Sequence, residues 1–195
     1  MKIQSNKYTS FTAKQINKET ILKLNSEAKN YFPQEANFIE INPNNKYDIK
    51  ALLEIANNWI YGMYSNVISY NGKRLKEKEL DRCTNKIFAL TKQTKDFKII
   101  KSDEILGIME IDLEKPKKVN LNYIQVMPDN IHINKERSYK NIGTALIKSI
   151  RKRFNDKTLS LNPIEKEIEF YKKLGLKEVC KNPLTYEIEP LKNKK

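Results

Sequence analysis

Histidine, cysteine, tryptophan and arginine are scarce in this chain of 195 residues, and the shortages remove whole classes of chemistry. Two cysteines, Cys83 and Cys180, cannot staple a chain this long, and neither stands in metal-ligand spacing with the single histidine, His132. A disulfide scaffold and zinc chemistry are excluded, no metal site is expected, and both cysteines read as plain thiols. No apolar run approaches the roughly 20 residues that a bilayer span requires, and the opening MKIQSNKYTS has no apolar core of the signal-peptide kind. The expectation is a cytoplasmic protein with no membrane association. Hydrophobic residues at 39% and charged residues at 31% suit a folded domain, and the length suits a single one.

Of the 37 basic residues only Arg74, Arg82, Arg137, Arg151 and Arg153 are arginine. The net charge of +13 therefore has two readings. One is compositional bias, with lysine, asparagine and isoleucine abundant together. The other is an anionic partner, either an acidic macromolecule or an anionic cofactor. Arginine is the usual reader of base edges and the usual bidentate phosphate ligand, so its scarcity favours the first.

The N-terminal third reads as helical. Thr12 and Gln15 form a capping-box pattern, with Ile16, Ile21, Leu24 and Ala28 following at helical intervals. Pro33 and Pro43 mark breaks. A second helix is expected over residues 47–70, with Trp59 in its core face, and a short charged helix over 73–82. The middle reads as strands over 86–92, 97–101, 104–113 and 119–127, with Ser102-Asp103 as a hairpin turn and Pro128 as a stop. The last third alternates: helix 142–154, strand 158–161, helix 164–174 ended by Gly175, then strands 176–180 and 184–188. The expected fold is α/β (α+β), with a mixed, mostly antiparallel central sheet flanked by helices and a helical N-terminal portion. One parallel pair is expected where strand 119–127 returns through the 142–154 helix to strand 158–161. A single domain over residues 1–190 follows, with a frayed tail at 191–195.

That crossover sets a strand end beside a helix start, the place where open sheets take anionic ligands. The segment between them runs Arg137, Ser138, Tyr139, Lys140, Asn141, Ile142, Gly143, Thr144. First-turn amides of a helix lack intrahelical acceptors, and the aligned peptide dipoles draw a phosphate to that end. Thr144 adds a hydroxyl there, and Arg137 or Lys140 could add charge. Gly143 permits close approach, by a ligand or by a neighbouring side chain.

From about Phe97 to Glu189 the chain resembles the GNAT superfamily of N-acetyltransferases. Val126 stands at the strand end, the 138–143 segment matches the loop Arg/Gln-x-x-Gly-x-Gly/Ala, and Phe170-Tyr171-Lys172-Lys173-Leu174-Gly175-Leu176 follows the family pattern Phe-Tyr-x-x-Leu-Gly-Phe. Ser138 occupies the Arg/Gln position, and Asn141 replaces the first glycine, where its tolerance of left-handed angles can preserve the turn. The loop from Met127 to Arg137 is longer than usual in the family.

The resemblance implies acetyl-coenzyme A as co-substrate, held by the main chain of Gln125, Val126 and Met127 and by Ser138, Tyr139, Lys140, Asn141, Ile142, Gly143 and Thr144. It implies a strand bulge that frees an amide for the thioester oxygen. Tyr171 would donate a proton to the departing sulfur, with half-buried packing as its bland alternative. Glu110 would collect the amine proton, with Asp112 on the same strand face; both could instead be solvated edge carboxylates. Residues 86–190 would form the cofactor-binding core and residues 1–85 the acceptor side. The reading is N-acetylation of a small-molecule or protein amine by direct attack. Two alternatives stand beside it: a catalytically degenerate coenzyme A-binding or protein-interaction module, and a basic nucleic-acid-binding protein. His132 reads as a solvated loop residue.

Overall fold

A computed structural model describes residues 13–42, 45–59, 85–92, 94–95, 97, 99–131 and 136–191. The helix expected over 73–82, the far part of the 47–70 helix, His132, Cys83 and most of the tail lie outside those residues. Among them, the elements run β1 (Lys14–Asn25), β2 (Asn30–Glu40), α1 (Lys46–Asn58), β3 (Asn85–Thr91), β4 (Ile105–Asp112) and β5 (Lys118–Val126). There follow β6 (Tyr139–Lys140), α2 (Ile142–Arg153), β7 (Thr158–Leu161), α3 (Ile168–Lys173), β8 (Lys177–Lys181) and β9 (Leu184–Ile188). All the strands join one sheet in the order β6-β1-β2-β3-β4-β5-β7-β9-β8. Every pairing is antiparallel except β5 with β7, which is parallel as expected from the crossover.

The helical N-terminal portion expected over residues 12–28 is corrected: residues 14–28 form β1 and the turn that follows it. Asn25 Oδ1 accepts from the amides of Glu27 and Ala28, each at 3.1 Å, and Lys29 closes the turn at φ 50°. Glu19 and Ile21 face inward while Lys18 and Thr20 face out, a period of two. The apolar residues at 16, 21, 24 and 28 are too sparse to cover a helical face. A strand needs an apolar residue only at alternate positions, and β2 supplies the partner backbone. Pro33 does not end the segment; it sits within β2 opposite Leu22.

The strand expected over 97–101 is also absent among the described residues there. The backbone of β4 pairs directly with β3, and the Lys92 amide donates to Glu104 O at 3.0 Å. That leaves no ladder for an intervening strand. Ile100 is buried instead in the hydrophobic cluster that holds Ile39, Ile105 and Ile108, and Ser102–Glu104 makes a 3-10 turn. The 164–174 helix divides into a 3-10 turn, Glu165–Glu167, and α3. Gly175 ends α3 at φ 88°, with Gly175 N donating to Lys172 O at 2.9 Å and Leu176 N to Tyr171 O at 3.2 Å, the paired bonds of a Schellman cap.

Two hydrophobic layers cover the sheet. One face packs Phe38, Phe88 and Met109 against Leu146 and Ile150 of α2 and against Tyr171 of α3. The other packs Ile39, Ala89 and Ile108 against Leu52, Ile55 and Trp59 of the α1 segment. Gly107 sets how closely α2 lies on the sheet, since a Cβ there would stand 2.7 Å from Ile142 Cγ2 and 3.0 Å from Leu146 Cδ1.

Candidate active site

The site begins where β5 loses a neighbour. It pairs with β7 only from Lys118 to Leu121, whereas its pairing with β4 continues to Val126. The break coincides with a bulge: Ile111 faces Leu121 and Glu110 faces Tyr123, leaving Asn122 as the extra residue. Beyond it, the side of β5 that faced β7 is open. The Met127 amide donates to Leu106 O on β4 at 2.8 Å. Because successive strand amides alternate in direction, those of Val126 and Ile124 point into the gap. The expected contacts around Gln125, Val126 and Met127 thus sort by side. Val126 offers a free amide, Ile124 is an addition that residue types could not show, and Met127 is committed to β4.

The start of α2 lies beside this gap. Asn141 is its N-cap at φ 66°, ψ 14°, in the left-handed region, so asparagine does adopt the angles that a glycine would supply. Its side chain makes no capping bond, and the first helical bond is Ala145 N to Asn141 O at 2.9 Å. The amides of Ile142, Gly143 and Thr144 therefore face outward without a backbone acceptor in the helix. The preceding residues are pinned to β1 and β2. Leu24 N donates to Ser138 O at 2.9 Å, and Tyr31 OH donates to Arg137 O at 2.8 Å. Tyr139 N donates to Asn130 Oδ1 at 2.8 Å. Lys140 Nζ sits 3.6 Å from the centre of the Tyr31 ring, a cation–π contact. The group of residues expected to hold an anion thus divides: Ile142 to Thr144 present free donors, while Tyr139 and Lys140 are engaged in packing the loop.

Gly143 admits a side chain. A Cβ there would meet Phe170 Cζ at 3.3 Å. Phe170 in turn meets Tyr171 edge-on, with ring centres 5.0 Å apart. The two sequence motifs are therefore one structural unit, with α3 braced across the first turn of α2. Tyr171 is buried, and its hydroxyl titrates well above the ordinary tyrosine range, chiefly through burial and then through the charge of Glu167.

Glu110 lies on the opposite sheet face from Tyr171, on the face that carries Ile108 and α1. It is buried, and its Oε1 accepts from Asn85 Nδ2 at 2.8 Å and from Asn122 Nδ2 at 3.3 Å, so the bulge residue itself holds the carboxylate. A solvated edge is ruled out for it. Asp112, two residues on, is half-buried and caps the Glu114 amide at 2.9 Å. A cavity of about 260 Å³ opens on the α1 side, bounded by Trp59, Asn58, Asp103, Met127 and Asp129. Trp59 is thus both core and cavity wall. A second cavity, about 330 Å³, includes Met127, Ser138 and Tyr139 in its wall. Among the described residues no cluster of side chains could hold a metal, and Cys180 is an exposed free thiol.

An acetyltransferase assigned to the GNAT family from Desulfovibrio desulfuricans superposes with a TM-score of 0.54 at 14% identity, covering 79% of this chain and 98% of its own. The fold is that of the GNAT acetyltransferases. KacTA, solved as a complex with DNA, superposes with a TM-score of 0.54 at 16% identity over 80% of this chain and 94% of that one. AtaT, solved with acetyl-methionyl-tRNAfMet, gives 0.53 at 12% identity over 79% and 94%. No protein-family model and no curated protein sequence matches the chain. At these identities the likeness establishes the GNAT fold, and chemistry must be argued from the site itself. No helix among the described residues is long and apolar enough to cross a membrane.

Proposed function

We propose that the protein is an N-acetyltransferase that takes its acyl group from acetyl-coenzyme A and passes it to an amine by direct attack. The observation that carries this reading is the parting of β5 from β7, where strand alternation turns the amides of Ile124 and Val126 toward the gap, beside a helix start whose first-turn amides have no intrahelical acceptor. A diphosphate fits the first turn of α2 at Ile142 to Thr144. An extended amide-bearing arm fits along the open side of β5. Acetyl-coenzyme A, when bound, supplies a thioester carbonyl as the acyl source.

The rest is work for this chain's residues. The free β5 amides orient and polarise the carbonyl, as oxyanion donors do. Glu110, held by Asn85 and Asn122, receives the proton of the acceptor amine directly or through water. That step matters because an amine of pKa about 10.4 costs about 4–5 kcal/mol to deprotonate at pH 7. Tyr171, protonated at neutral pH as tyrosines ordinarily are, gives a proton to the sulfur as the carbon–sulfur bond breaks and the carbon–nitrogen bond forms. The acceptor enters from the α1 side, where the Trp59 cavity lies.

Thermal unfolding with acetyl-coenzyme A tests the reading. At about 100 times the dissociation constant the ligand should add roughly 2.7 kcal/mol of stability. No shift overturns the assignment. In a release assay for the free coenzyme A thiol with a panel of amines, Glu110→Gln should keep that shift and lose about 100-fold or more in turnover. Equal turnover in the variant would remove Glu110 as the base, and no thiol release by the native chain with any amine would favour a binding module over an enzyme.

A further inference from the structure

The run of chain that enters α2 is held from the far end of the sequence. Tyr31, on the hairpin of β1 and β2, donates its hydroxyl proton to Arg137 O at 2.8 Å, and its ring centre lies 3.6 Å from Lys140 Nζ. One side chain thus grips both ends of the run 137–140, across 106 residues of chain. The hairpin supplies ties between those ends as well. Leu24 N donates to Ser138 O at 2.9 Å, and Tyr139 and Lys140 of β6 pair with Lys23 and Leu22 of β1. Tyr139 N turns the other way, to Asn130 Oδ1.

The attachment of the hairpin is one-sided there. Because β3 pairs with β2 only from Asn37 to Glu40, the Tyr31 end of β2 has no strand on its far edge among the described residues. That end of the hairpin and the run 137–140 therefore order each other. Asn141 follows at φ 66°, and its side chain makes no capping bond, so the left-handed turn into α2 draws its support from the backbone on either side. Fixing a loop backbone costs conformational entropy, and a ligand that must order a loop as it binds loses that much affinity. A loop already held in place spares it the loss.

We infer that Tyr31 is a positioning residue for the acetyl-coenzyme A site: it holds the run 137–140 so that the first-turn amides of α2 are in place before the cofactor arrives. The inference rests on the transferase reading for the identity of that ligand. It also brings a residue of the N-terminal portion, expected on the acceptor side, into the service of the cofactor. Coupling of this kind is reciprocal, so a cofactor that favours the ordered loop also steadies the hairpin.

The test is the affinity for acetyl-coenzyme A, measured by isothermal titration calorimetry well below the melting temperature. Tyr31→Phe keeps the ring beside Lys140 and loses the bond to Arg137, and it should bind roughly 3- to 10-fold more weakly than the native chain. Tyr31→Leu loses both contacts and should bind more weakly still. A merely structural tyrosine would lower the melting temperature and leave this affinity alone. Hydrogen exchange at the Leu24 amide, which bonds Ser138, gives the second readout. Exchange should be faster in cofactor-free Tyr31→Phe than in the native chain, and saturating acetyl-coenzyme A should slow it in both. Native affinity in Tyr31→Leu overturns the proposal, and so does Leu24 exchange that bound acetyl-coenzyme A leaves unchanged. If acetyl-coenzyme A does not bind the native chain, the transferase reading and the cofactor role of Tyr31 fall together. Faster Leu24 exchange in Tyr31→Phe would then still show the hairpin holding the loop, which separates the two failures.

Discussion

Asp48 sits in the first turn of α1 with no exposure to solvent. Its Oδ2 accepts from Asn42 N at 2.8 Å, but Oδ1 has no partner among the described residues. Burial raises its pKa from 3.8 to about 6, against the opposing pull of the Asn42 bond. The folded state therefore binds this proton more tightly than the unfolded chain does. The stability it confers is full below about pH 4 and is lost as pH rises through about 6. Asp48→Asn keeps an acceptor for Asn42 and carries no charge. It should raise the unfolding free energy at pH 7 by up to about 3 kcal/mol, at 1.36 kcal/mol per pKa unit, and flatten the stability slope between pH 4 and 6. Urea unfolding at pH 4, 5, 6 and 7 measures both; a variant less stable than the native chain at pH 7 would contradict the burial argument. Nothing in residues 42–48 as a string announces this. Asp48 reads as an ordinary helix-start carboxylate until the fold removes its water.

The entry into α2 is where sequence and structure agree most closely. The amphipathic pattern from Ile142 marks α2, and the strand-forming runs mark β7 and β9 at the residues where they occur. Each of those patterns is local, and each is one-sided because a single buried face decides it. Asn141 was legible for the same reason: only a few residue types tolerate left-handed angles. Replacing it tests the geometry. Asn141→Gly should leave the melting temperature nearly unchanged, whereas Asn141→Ala should cost about 1 kcal/mol, read by thermal unfolding. An alanine variant as stable as the native chain would mean that the turn is not left-handed. The β1–β2 hairpin escaped the same reasoning, because Ile16, Ile21, Leu24 and Ala28 fit a loose helical spacing while the alternation of Glu19 and Ile21 is hidden behind a buried acid. Glu19 can lie inside because Lys152 of α2 meets it at 2.7 Å, a partner 133 residues away.

One sheet serves both halves of the molecule. Adjacent residues of the same strands, Phe38 and Ile39, Phe88 and Ala89, Met109 and Ile108, supply opposite cores. Neither layer can lose its floor without exposing the other, so the two should unfold together. The single tryptophan provides a probe, since Trp59 is 6% exposed in the layer on the α1 side. In urea its fluorescence should change with the same midpoint as the far-UV circular dichroism. An earlier fluorescence transition would show the α1 layer to be a separate unit.

The sequence by itself determined the strand–helix crossover, the left-handed entry to α2, and the pairing of two motifs that carries the likeness to the GNAT acetyltransferases. Each depends on neighbours within a turn or two of chain. Tertiary structure alone decided which amides are free. A strand's N–H groups are spent or spared according to the partner alongside, and β7 pairs with only the first four residues of β5. It also decided that a phenyl ring lies against Gly143 and that Glu110 is gripped by Asn85 and Asn122. Hydrogen-bond partners and dielectric surroundings are properties of what the chain brings near, and the order of residues does not contain them.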